Sequence, residues 1–488
     1  MKIIFTLLGV LLFAQSLQAQ FTSPNTGVRW TLDSIAAHSP STVTISDSTY
    51  SLLEELNFEE NDSLIIDKNI RLEIAAGIEA KIKGYFYCSA DSIAITAIDK
   101  ENPYKGFWFY ETATVYFNHT TIEYGGGLKV ITPNFLMEQC EMSNNTLDRG
   151  SSTGGAISFS KGSPIVRSST FKNNLHPALS SAANASAAVQ VFDCYFEGNN
   201  QKNNNRPQIN LGPSGEADST RIIGNFVIGD PNLTMVGGIS VSSLVGVTNQ
   251  FVIRSNDIIG NRYGITNAGN STGKIERNNI LHNNTETNPL VGGSGISLYG
   301  TNMVMITENN IANNLWGITL IQNALANLGS DDAEDFNPGM NLFTNNGNGG
   351  ITYALYNNTP NLVKALHNCW ITGKYSTTEE VEDVIYHFQD DTTLGKVIYQ
   401  PFECGQIVST SRINENQFDI FPNPARSSFS IQTYNDGLLE IFNMSGIKVF
   451  EKHINHGNNV ITSNFTPGIY IVRLGNKSSH TVRKLIIQ

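Results

Sequence analysis

Charge is what this sequence has least of. Only 15% of its 488 residues are Asp, Glu, Lys or Arg, against about a quarter in ordinary globular domains. The 31 Lys and Arg are outnumbered by 43 Asp and Glu, for a net charge of −12. So few cations exclude a nucleic-acid binder, whose affinity comes largely from Lys and Arg on phosphates. They equally exclude a polybasic membrane-surface protein. Cysteine is also sparse: Cys88, Cys140, Cys194, Cys369 and Cys404 are odd in number and widely spaced, which excludes a disulfide scaffold. With no Cys-x-x-Cys or His-x-x-x-His pair, there is no recognisable zinc site. Cys369 and Cys404 flank one late segment and are the pair able to join. Apolar runs long enough to span a bilayer are missing too. The longest, residues 3–14, follows Lys2 and precedes Gln15-Ser16-Leu17-Gln18-Ala19. It reads as a secretory signal over residues 1–19, cleaved before Gln20.

What replaces the missing charge is turn chemistry. There are 42 glycines and about 56 asparagines, and Gly, Asn and Asp together make about a quarter of the chain, which implies very many short turns. A chain this long ordinarily splits into several cores. A solenoid is the exception, because it grows in one dimension.

Self-similarity supports the exception. A pattern of small-or-Asn, any, apolar, any, any, Gly/Asn/Asp recurs ten times at spacings of roughly 20 to 32 residues, too irregular for fixed-period helical repeats. Its first position holds Thr120, Cys140, Ser169, Cys194, Asn225, Asn256, Asn278, Asn309, Asn341 and Asn368. Two residues on, every copy is apolar, from Ile122 and Met142 to Phe343 and Trp370. Three further on stand only Gly, Asn or Asp, residues that tolerate a left-handed backbone. Each copy is a short strand and a turn, unable to bury a face alone. Stacked at about 4.8 Å per coil, the copies form continuous apolar ladders. The run from Asn225 to Asn368 then becomes an asparagine ladder whose amides bond from coil to coil. Cys140 and Cys194 fall two coils apart, about 9.6 Å by the coil rise, beyond disulfide reach.

On these residues the chain resembles the right-handed parallel β-helix, or pectate-lyase-like, proteins. The expected architecture is all-β: a β-helix solenoid over residues 61–404, followed by a small C-terminal sandwich. Upstream, Leu64-Ile65-Ile66, Arg71-Leu72-Glu73-Ile74 and Gly106-Phe107-Trp108-Phe109 continue the strand rhythm. Open solenoid ends need covers. Residues 20–60 are expected to cap the N-terminal end, with Leu32, Ile35 and Ala36 at helical spacing. At the other end Ser376-Thr377-Thr378-Glu379 reads as a capping box, opening a helix with Val381, Val384, Ile385 and Phe388 on one face.

Beyond a polar linker at 405–417, turn signals every 10 to 15 residues suggest a small sandwich over 418–488. Phe421-Pro422-Asn423-Pro424, then Leu439-Glu440-Ile441-Phe442-Asn443, Gly468-Ile469-Tyr470-Ile471-Val472 and Lys484-Leu485-Ile486-Ile487 resemble, in order, a type A sorting domain of the type IX secretion system. The resemblance assigns Pro422, Asn423, Pro424, Gly468, Tyr470 and Lys484 to the sorting motif. It implies the type IX machinery as partner and a destination on, or outside, the surface of a Gram-negative bacterium.

A functional site is fainter. Lyases of this shape need a carboxylate cluster for calcium and a Lys or Arg base. The densest acids are Asp331, Asp332, Glu334 and Asp335, with no Lys or Arg between Arg277 and Lys364, so a base must come from a neighbouring coil. Asp331, Asp332 and Asp335 are the candidate calcium ligands. The Asn-Thr-Asp, Gly-His-Gly and Arg-Ile-Lys signatures of polygalacturonase-like hydrolases are missing. Tyr263 and Trp316 each stand seven residues after a ladder asparagine, two coils apart, and are the candidate sugar-stacking pair, about 10 Å apart along the rod. Arg254 and Glu276 share another position on adjacent coils, as a surface ion pair. Two functions follow: a surface or extracellular polysaccharide binder or adhesin, or a polysaccharide lyase or hydrolase working from the long loops.

Overall fold

The computed structural model describes residues 20–148 and 154–404, and 418–487 except 422, 424, 427, 434–435, 444–446, 463–464 and 476–479. The expected signal at 1–19, the linker at 405–417, Pro422 and Pro424 lie outside these residues.

Short strands separated by turns build three long sheets. Sheet A has 14 strands from Gln20–Thr22 to Ile385–Tyr386, sheet B has 14 from Arg29–Trp30 to Val397–Ile398, and sheet C has 13 from Val43–Ser46 to Leu342–Thr344. The chain visits A, B and C in turn, and each strand pairs in parallel with its counterpart one coil on, save the hairpin of Val43–Ser46 with Thr49–Leu52. This is a parallel β-helix. The parallel ladder already includes Gln20–Thr22, paired with Glu55–Phe58, so residues 20–60 contribute strands as well as a cover.

Register explains the sequence pattern. The apolar column runs Ile122, Met142, Phe171, Phe196, Val227, Ile258, Ile280, Ile311 and Phe343 in unbroken pairing. All are buried in one continuous core, because every second residue of a strand points inward. The asparagine ladder is complete. Each Nδ2 donates to the Oδ1 one coil on: Asn225 to Asn256, Asn256 to Asn278, Asn278 to Asn309 and Asn309 to Asn341 at 2.9 Å, and Asn341 to Asn368 at 2.8 Å.

The second polar column differs from expectation in two ways. Its asparagines are buried ladder residues, bonding Asn145 to Asn174 to Asn199 and Asn261 to Asn283 to Asn314 to Asn346. The left-handed residue is the one before each: Asn144, Asn173, His282, Asn313 and Asn345 have φ between 49° and 57°. Reversal and inward amide are therefore divided between neighbours. Asp230, expected in this column, instead caps its own loop at Asn232. Its place is taken by Gln208, which accepts from Asn199 at 3.1 Å and donates to Asn261 at 3.0 Å.

The ends are closed by short helices. Helix α1, Leu32–His38, starts at a Thr31–Ser34 capping box and buries Leu32 and Ile35 over the first coils. Helix α2, Thr378–Glu382, is shorter than expected, and its box is Thr377 with Glu380. It stops because Ile385–Tyr386 leaves to pair with Leu355 and Tyr356 in sheet A, which places Phe388 outside any helix and 42% exposed. Cys369 and Cys404 are joined, with Cα atoms 4.6 Å apart. Cys88, Cys140 and Cys194 are free and buried; Ser169 separates the last two in the column, accepting from Cys140 N–H at 3.1 Å.

The C-terminal module packs a three-stranded and a four-stranded antiparallel sheet around its own core. Asn423 accepts from Ile486 N–H at 2.8 Å. Tyr470 is buried and donates to the Thr466 carbonyl at 2.8 Å. Gly468 opens the strand Gly468–Gly475, and Lys484 lies within His480–Ile487.

Candidate functional site: a hydroxyl-floored groove on sheet A

In the sheet A strands the residue between two inward side chains points away from the core. From Lys129 this outer row runs Ser158, Ser180, Asn210, Ser240, Thr266, Ser297, Thr319 and Tyr356, one residue per coil in register. Seven consecutive coils thus present a small uncharged polar group, at about 4.8 Å intervals. The hydroxyls also bond to one another: Thr319 Oγ1 donates to Ser297 Oγ at 3.0 Å and lies 3.1 Å from Ser294 Oγ.

Loops raise walls around the later part of this row, enclosing a groove of about 730 Å³. Where the chain enters the sheet the wall holds Arg262, Tyr263 and Trp316; where it leaves, Leu244, Tyr299 and Ile321. The lips are apolar, with Leu290 87% and Leu244 70% exposed. Among the described residues Arg262 is the only charged one in the lining. It is buried, donates from Nη1 to Asn205 Oδ1 at 2.6 Å and from Nη2 to the Val291 carbonyl. The guanidinium therefore pins two wall loops.

Both candidate aromatics line this groove. Gly264 N–H donates to the Ser294 carbonyl, and Ser294 pairs with Trp316, so one coil separates Tyr263 from Trp316. Neither ring is open on both faces. Tyr263 packs on Gly237, where a Cβ would stand 2.1 Å from Cζ, and burial pushes its phenol pKa up. Trp316 is half-buried: its Nε1 donates to the Pro289 carbonyl at 2.8 Å and one face stacks on Tyr353 at 5.0 Å. Sequence reasoning missed the aromatic cluster that follows. Tyr356 stacks on Tyr386 at 4.6 Å and meets Trp316 edge-on at 4.9 Å. Their signal was the Tyr353–Tyr356 spacing, which no repeat register had yet aligned.

The acidic loop lies elsewhere, between the sheet B strand Leu325–Gly329 and the sheet C strand Leu342–Thr344. A base does arrive from the next coil, but as a counter-ion. Lys364 Nζ binds Asp335 at 2.8 Å and reaches Asp332 at 3.5 Å, while His367 lies 2.9 Å from Asp331. The bond from Lys364, aided by Ser330, holds the Asp335 carboxyl below the usual range. Among the described residues no three His, Cys, Asp or Glu side chains gather to hold a metal. Arg254 and Glu276 form the expected ion pair.

Residues 60–214 match the family model described as right handed beta helix region, and 419–488 that of the secretion system C-terminal sorting domain. The parallel ladder continues past the first match to Val397–Ile398. No curated protein matches the chain. Among the described residues no helix is long and apolar enough to cross a membrane.

Proposed function

We propose that this right-handed β-helix, carried by its sorting domain through type IX secretion to the cell surface or beyond, binds an extended neutral polysaccharide in the groove of sheet A. One observation carries the reading: a row of small hydroxyl and amide side chains, ending at Tyr356, walled by Tyr263, Trp316 and Tyr299 and, among the described residues, free of carboxylates. Sugar polymers offer what such a lining needs, apolar ring faces for aromatics and hydroxyls for a polar floor. Rigid sheet strands pre-position the floor, so little entropy is lost on binding. Among the described residues the lining holds no Asp, Glu or His, and so no acid–base pair of the kind glycoside hydrolysis uses. That favours binding over cleavage.

The test presents the full chain to a glycan array and to soluble polysaccharides, following both retention and the release of reducing or unsaturated ends. Retention of neutral polymers without new ends is expected. Calcium-dependent cleavage lost in Asp335→Ala would move the active site to the acidic loop and overturn the reading.

A further inference from the structure

The outer face of sheet C is mostly polar, with Glu141, Thr170, Asn279 and Asn310 in one row. Within that row, Tyr195 and Phe226 are paired in register and followed by Asp257. Beside them the next outward positions are Ile228, Ile259 and Leu281. Strand alternation requires these side chains to point out, because their neighbours Phe196, Val227 and Ile258 fill the core. An outward tyrosine would ordinarily be solvated, yet Tyr195 is 1% exposed.

The C-terminal module covers it. Phe421 stacks on Tyr195 at 4.6 Å and 10° between planes, and lies 6.3 Å from Phe226. The Tyr195 hydroxyl donates to Gln432 Oε1 at 3.3 Å. Charges agree across the contact: Arg426 reaches Asp91 at 3.5 Å, and Arg483 acts on Asp257, whose carboxyl is otherwise pushed up by burial. An apolar step on an otherwise polar face meets an aromatic ring, and two carboxylates meet two guanidiniums.

We propose that the outer face of sheet C from Tyr195 to Asp257 is a docking surface for this chain's own sorting module, which is held against the β-helix in a fixed pose. Tyr195 and Phe226 are then positioning residues for the exported form.

Hydroxyl-radical footprinting of the full chain tests this. Tyr195 should be oxidised several-fold more slowly than Tyr375, which is 73% exposed. In Phe421→Ala and Arg426→Glu the Tyr195 rate should rise toward that of Tyr375. Because Phe421→Ala also alters the module's own packing, Tyr195→Thr, copying Thr170 one coil earlier, provides the test from the β-helix side. Small-angle scattering of that variant should show a larger maximum dimension at unchanged circular dichroism. Equal oxidation of Tyr195 and Tyr375 in the wild type, or an unchanged scattering curve for Tyr195→Thr, would overturn the proposal.

Discussion

Between the strands Tyr85–Cys88 and Ile157–Gly162 the core is filled by phenylalanine. Phe86, Phe107, Phe109, Phe117, Phe135 and Phe159 meet at ring-centroid distances such as 5.1 Å for Phe86–Phe117 and 5.8 Å for Phe135–Phe159. From Ile209–Leu211 onward isoleucine takes over: Ile239, Ile265, Ile296 and Ile318 stack in one column, Ile258, Ile280 and Ile311 in another. The outer stitching changes as well. The first coils are tied by ion pairs such as Lys81–Glu55 and Lys83–Glu59, whereas one buried amide column begins at Asn145 and a second at Asn225, beneath surface pairs such as Arg254–Glu276. Aromatic packing tolerates coils of differing width. Identical β-branched residues and an amide at the same turn in every coil hold the cross-section constant. The groove lies in the uniform half, where a straight row of hydroxyls needs coils of one size beneath it.

The sharpest way to break this contrast is to interrupt a ladder. Asn309 Oδ1 accepts from both Asn278 N–H and Asn278 Nδ2. Asn309→Leu, similar in branched shape, strands those two buried donors and should cost about 2–6 kcal/mol at 1–3 kcal/mol per unsatisfied group. Denaturant unfolding that shows less than about 1 kcal/mol of loss would leave the ladder without an energetic role. In the aromatic half, Phe117→Ala should cost about 3–5 kcal/mol, and Phe117→Leu should recover much of that because volume, not a hydrogen bond, is what the site needs. Equal losses for the two Phe117 variants would deny the contrast. A step smaller, reduction of the Cys369–Cys404 bridge, 35 residues apart, should lower stability by about 2–4 kcal/mol through loop-closure entropy. A melting curve with and without reductant measures it.

The smallest effect expected is a pH dependence in the first coils. Asp62 is buried, which by itself raises its pKa. Bonds from Ser23 and from the N–H groups of Val28, Asn25 and Thr26 outweigh this and hold the carboxyl below its ordinary value. A depressed folded pKa gives stability that is in place above the ordinary carboxylate range and is lost as pH falls through the folded value. Asp62→Asn should therefore melt lower than wild type at neutral pH, and the gap should close in acid. A gap independent of pH would assign the role to packing.

Where side chains repeat coil after coil, the sequence was transparent: the apolar column and the ladder from Asn225 to Asn368 follow from spacing alone, because parallel stacking sets like over like. What stayed hidden depends on exceptions to the repeat. Gln208 enters a column from a different strand, and the left-handed role sits one residue before each asparagine, on side chains as varied as His282 and Asn313. The groove was half visible. Tyr263 and Trp316 stand out as aromatics at equivalent turns. The floor does not, since Ser240, Thr266 and Thr319 become a row only once register is known, and the Tyr353 stack on Trp316 joins residues 37 apart. The acidic loop misled for the opposite reason: of the acids crowded in sequence, Asp332 and Asp335 meet Lys364 and Asp331 meets His367, partners supplied by the next coil.

The central claim is that the later coils of sheet A are the working surface. Titration calorimetry of the full chain, using whichever neutral polysaccharide the array retains, measures it most directly. The account predicts that Trp316→Ala weakens binding about tenfold, or about 1.4 kcal/mol, and that Thr319→Arg, placing a bulky charge on the floor, abolishes it while both variants keep the wild-type melting profile. Affinity unchanged by Thr319→Arg would contradict the claim and place the ligand elsewhere on the molecule.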